Sequence, residues 1–160
     1  MKRWVFILAF SFVHSALTLL AAPEENLGRF AVAWKVVATN TNECTVRVTV
    51  TNSGQKAVRF HEADLPWHPY SNRLVLALLS DDILKTPIER ALIAADPIIG
   101  TVSISPGKSL TGEVNLRYSY PTLIRDLSKK DVLLFWSYKP VSIRGSEGER
   151  LGGFLVIPKL

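Results

Sequence analysis

CTVRVTVTNSGQKAVRF, running from Cys44 to Phe60, alternates apolar and polar residues with a period of two before and after a turn cluster. Cys44, Val46, Val48 and Val50 fall on one face, and Thr45, Arg47, Thr49 and Thr51 on the other. Successive side chains of a strand point to opposite faces, so this pattern predicts a strand with one buried side. Asn52-Ser53-Gly54 supplies turn residues, and Val58 and Phe60 then lie opposite Arg59 and His61 in a second strand spanning 57–62. A hairpin is the expected connection.

Working outward, Phe30, Val32, Trp34 and Val36 alternate within a strand at 30–39, and Asn40-Thr41-Asn42 turns the chain. The two prolines of the 64–72 segment predict a long loop, and 73–79 resumes as a nearly continuous apolar strand. Over 83–99 the signals conflict. Thr86-Pro87-Ile88-Glu89 has the spacing of a helix start, while an extended strand beside the preceding one fits as well. Val102 and Ile104 mark a short strand, and Ser105-Pro106-Gly107-Lys108 reads as a type II turn. Leu110, Val114, Leu116 and Tyr118 then alternate, and Leu123, Ile124 and Leu127 take helical spacing. Val132, Leu134, Trp136 and Tyr138 predict a strong late strand with Trp136 at the centre of the core. The glycines, charges and serines of 143–153 predict a mobile connection, and Phe154–Ile157 a last strand stopped by Pro158. The expectation is an all-β, antiparallel immunoglobulin-like β-sandwich of seven or eight strands with one or two short helical turns.

VRVTVTNSGQKAVRF at 46–60 and VSISPGKSLTGEVNL at 102–116 together resemble the strand, turn and strand grammar of bacterial secreted immunoglobulin-like domains. Proteinase-inhibitor and accessory domains of that kind show similar runs. The resemblance implies a fold; it carries no functional residue, because such folds host many roles.

The first residues bear on compartment. Lys2 and Arg3 precede an apolar stretch from Trp4 to Val13 interrupted by Ser11, and Leu19-Leu20-Ala21-Ala22 leads to Pro23-Glu24-Glu25. This reads as a signal peptide over 1–22 followed by one domain over 23–160. An uncleaved anchor is the alternative, since 4–22 approaches the about 20 residues that span a bilayer. The expected location is periplasmic or secreted. The chain carries 19 basic and 14 acidic residues, and a cut after Ala22 removes Lys2 and Arg3 but no acid, leaving 17 against 14, or +3. Without a basic run, nucleic acid is not an expected partner, and a membrane is one only if the first segment stays attached. Cys44 is the sole cysteine, so the domain has no internal disulfide and must rely on packing. The sequence contains no Asn-x-Ser/Thr acceptor.

No catalytic or cofactor motif stands out. Gly107-Lys108-Ser109 has the end of a phosphate-binding loop, but Val102 occupies the position of its first glycine and a strand follows. His61, Glu62, Asp64 and His68 are the one cluster of potential metal ligands, without the spacing that sets two histidines on one helical face. Trp67, His68 and Tyr70 between Pro66 and Pro69 could anchor a protein or stack on a sugar, or Trp67 could plug the end of the core. Cys44 shares the parity of three valines and reads as a small buried hydrophobe rather than a nucleophile. The sequence thus predicts a non-enzymatic interaction module of inhibitor, immunity, chaperone or accessory type, binding an envelope protein through loops at one end of the sandwich and without a cofactor. Its expected contacts are Trp67, His68, Tyr70, Arg144, Glu147 and Arg150. The alternatives are a metal protein or enzyme built on His61, Glu62, Asp64 and His68, and a carbohydrate-binding module using Trp67 and Tyr70.

Overall fold

The computed structural model describes residues 27–68, 71, 73–80, 88 and 100–160. The expected signal peptide or anchor, the helix-or-strand segment at 83–99 apart from Ile88, and Tyr70 lie outside the described residues. Among the described residues eight strands run β1 (Phe30–Asn40), β2 (Glu43–Asn52), β3 (Val58–His61), β4 (Leu74–Ser80), β5 (Thr101–Ile104), β6 (Ser109–Asn115), β7 (Val132–Tyr138) and β8 (Leu151–Ile157). Two short helices, α1 (Leu116–Ser119) and α2 (Leu123–Leu127), connect β6 to β7. All strand pairings are antiparallel, in three small sheets ordered β1-β2-β6, β3-β5 and β4-β7-β8. The protein is therefore all-β.

β2 follows its sequence pattern closely. Cys44, Val46, Val48 and Val50 are fully buried, while Arg47 on the opposite face is exposed and pairs with Glu113 across β6 at 2.8 Å. The expected β2–β3 hairpin does not form. Both edges of β2 are taken, by β1 and β6, so β3 crosses to pair with β5 instead. Asn52 fixes that crossing: it is fully buried, its Nδ2 donates to the carbonyls of Lys56 and Ile104 at 2.8 and 2.9 Å, and its Oδ1 accepts from Gly54 N–H. The neighbouring Ser105–Lys108 turn closes as expected, with Lys108 N–H donating to Ser105 O and Gly107 at φ 69°.

One cluster of buried side chains draws on all three sheets. Phe30 of β1 meets Phe60 of β3 edge to face at 5.5 Å, and Trp34 of β1 stacks on Trp136 of β7 at 5.5 Å. Trp136 is thus a half-buried inter-sheet contact, not the centre of the core; Tyr138, Leu134, Leu78 and Tyr120 lie deeper. The reason is volume: the indole takes the space left by Gly153, its cross-strand partner, where β8 is most open.

Two further expectations are corrected. β6 does not continue to Tyr118, because Asn115 caps α1 by accepting from Arg117 N–H, turning Leu116 into the core and leaving Tyr118 exposed. The 143–153 segment is not a loose connection: Gly145 N–H donates to Ser142 O, Ser142 N–H to Ser146 O, and Val141 bridges Glu147 before β8 begins at Leu151.

Candidate functional site

The four residues expected to ligate a metal do not converge. His61 is exposed at the end of β3, and the Glu62 carboxylate lies against Gly100. Asp64, in the 3-10 turn Glu62–Asp64, accepts from Arg73 Nε at 3.2 Å. Among the described residues no three His, Cys, Asp or Glu side chains are grouped to hold a metal ion, so His61, Glu62, Asp64 and His68 do not form such a group by themselves. The residues sit on a strand end, a 3-10 turn and the loop that follows it.

Trp67 packs inward. A Cβ on Gly112, which faces Val48 across the β2–β6 ladder, would fall inside the Trp67 indole. A strand glycine in such a place marks the close approach of another group. Trp67 accordingly belongs to the packing around the core.

Cys44 is a free thiol with no exposed surface, and burial, with a smaller contribution from Glu43, pushes it up to about 11 from 9.0. The folded thiol therefore stays protonated where an unfolded one ionises, so Cys44 favours the folded chain at pH below 9 and loses that contribution toward pH 11. Iodoacetamide at pH 8 should leave native Cys44 unmodified and alkylate it in urea, read by mass spectrometry. Modification of the native protein at the unfolded rate would contradict the buried placement.

Of the remaining expected contacts, Arg144, Glu147 and Arg150, the last two flank a surface that periodicity did not reveal. Arg144 is exposed, with its N–H on Ser142 Oγ, and Glu147 pairs with Lys139. Arg150 donates to Ser137 Oγ at 3.2 Å. Lys139, by hydrogen bond and charge, together with Arg73 and Arg150, holds the Glu147 carboxyl below its usual range, so the four side chains share one electrostatic neighbourhood.

From this basic end the outward face of β4-β7-β8 extends in register. Val75, Ser137 and Gly152 form one row, Ala77, Phe135 and Phe154 the next, and Leu79, Leu133 and Val156 the third. Val75, Phe135, Phe154 and Val156 are exposed by 55, 39, 67 and 48 %. The two phenylalanines, directly opposite across β7 and β8, lie 6.0 Å apart. Single exposed apolar residues need no explanation, but a contiguous apolar sheet face marks an interaction site.

No family model matches the chain, and no curated protein matches it. Among solved structures, the one described as Northeast Structural Genomics Consortium target SoR45 is similar over 82 % of this chain and 85 % of that chain, at 11 % identity and a TM-score of 0.44.

The missed surface had a signal. LVLALLS in β4 and VLLFWSY in β7 are apolar at both parities, unlike β2. Such runs belong either to strands covered on both sides or to strands with an uncovered apolar face.

Proposed function

We propose that this protein is an exported, non-enzymatic interaction module with an immunoglobulin-like sandwich fold, and that it binds a protein through the outward face of β4-β7-β8. The observation that carries this reading is that face: four exposed apolar side chains in consecutive rows, beside Glu147 and Arg150. The interface lies on a sheet face and its adjoining loop, whereas the loop holding Trp67 serves packing.

The finer fold assignment draws support from strand order. Sheets β1-β2-β6 and β4-β7-β8 repeat the A-B-E and C-F-G adjacencies of immunoglobulin sandwiches, with the connection between β6 and β7 at the E–F position. Export rests on Lys2, Arg3 and the apolar stretch that follows them.

The test is capture from cell-envelope extract with the wild-type protein and a Phe135→Ser, Phe154→Ser variant, followed by direct titration of the captured protein in purified form. Truncating aromatic anchors at an interface centre costs about 2 kcal/mol or more, so affinity should fall roughly 30-fold or more while the melting curve holds. Equal binding by wild type and variant would remove this face from the interface. A captured protein lost only on Trp67→Ala would return the site to the loop.

A further inference from the structure

The apolar rows of β4-β7-β8 end in a row of cations. Arg73, Lys139 and Arg150 continue the outward parity of β4, β7 and the residue before β8, and Lys139 N–H donates to Arg73 O, which keeps the two strands in step. Arg73 is paired with Asp64 and Lys139 with Glu147, while among the described residues Arg150 makes no ion pair. At the opposite end, Asp131 has the outward parity of Leu133 and is exposed. The face is thus apolar along its length and bordered at one end by the three cations, while Asp131 at the other stands beside Lys129 and Lys130 and accepts from Lys159 N–H.

Its dimensions limit what covers it. Three strands about 4.8 Å apart, with rows spanning six residues at about 3.4 Å each, give a face of about 10 by 20 Å. A helix about 10 Å across, rising 1.5 Å per residue, covers that length with about 14 residues. A second copy joined through this face alone would fall well short of the about 800 Å² per partner of a stable interface. A lipid surface fits poorly, because β8, which among the described residues is an edge strand paired only with β7, would carry unpaired backbone groups into hydrocarbon.

Building on the interaction reading above, we propose that the outward face of β4-β7-β8 seats one amphipathic helix of a protein partner, with carboxylates on its last turn over Arg73, Lys139 and Arg150. The helix dipole sets the direction: its negative C-terminal pole lies over the cation row. The apolar stripe of the helix covers Phe135 and Phe154, which supply most of the contact area.

Two labelled 16-residue peptides test this by fluorescence anisotropy with the purified protein. Both carry the same leucine stripe; one ends in three glutamates and the other in three lysines. Lysine near a C-terminus favours the free helix, so tighter binding of the glutamate peptide must come from the protein. At least tenfold preference for the glutamate peptide is expected, lost on Phe154→Ser and reduced at least fivefold by Arg150→Glu. Equal affinity for both peptides overturns the charge-directed seating. Binding of neither overturns the helix, and leaves the interaction reading standing if the captured envelope protein still depends on Phe154. A concentration-dependent dimer in sedimentation, or binding to phosphatidylglycerol vesicles, either one abolished by Phe154→Ser, would assign the face to a second copy or to a membrane and overturn the proposal.

Discussion

Asn52→Asp should destabilise the protein by about 3 kcal/mol or more at pH 7, and the loss should shrink on acidification. The amide is fully buried and donates to two carbonyls, those of Lys56 and Ile104, while its oxygen accepts from Gly54 N–H. An aspartate keeps the acceptor but turns a second oxygen toward two carbonyl oxygens in a buried site, and uncompensated buried charges cost several kcal/mol. Desolvation and the facing carbonyls both disfavour the ionised form, so the folded pKa of the introduced carboxyl rises above its unfolded value. The folded chain then binds more protons than the unfolded one between the two values, and stability falls as pH rises through that window. Urea denaturation at pH 5 and pH 8 measures this directly. Asn52→Ala, which introduces no charge, should lose stability without that dependence. An Asn52→Asp variant equally stable at both pH values would show that this amide does not pin the crossing between sheets.

The legibility of the chain followed one physical distinction. Where a strand has one wet face, as in β2 with Arg47 and Thr49 opposite Val46 and Val48, alternation announces the strand and its buried side. Turns with a local chemical cause, such as Pro106-Gly107, were readable for the same reason. Pairing was not, because the neighbour of a strand depends on which of its edges is free. Nothing within 52–61 states that β6, more than 50 residues later, occupies the second edge of β2. The site failed at another point. β4 and β7 are apolar on both faces, so alternation could not separate inner Leu134 from outer Phe135, and Trp136 drew attention by size while the more exposed Phe154 did not. Glu147 and Arg150 are legible as surface residues because they stand in a polar segment, but the sheet face they adjoin became visible only once register aligned the three strands.

Gly112→Ala should destabilise the protein by about 2 kcal/mol, although alanine normally improves on glycine in a strand. The ordinary expectation rests on chain entropy, since alanine restricts the unfolded state. Here the added methyl would occupy the space of the Trp67 indole, and β6 is held in place by its ladder to β2, with Val48 opposite, and by the β5–β6 turn at its start. Trp67→Ala should cost about 3 kcal/mol by removing partly buried aromatic area. The decisive result is the double variant. With the indole gone, the alanine methyl has room, so Trp67→Ala, Gly112→Ala should be about as stable as Trp67→Ala alone, a coupling of about 2 kcal/mol in a double-mutant cycle. Additive costs would place Trp67 away from β6, and with it would reopen the loop as a binding site. Strong coupling fixes the indole as packing, which favours the proposed interface on the face that Phe135 and Phe154 expose over one on Trp67.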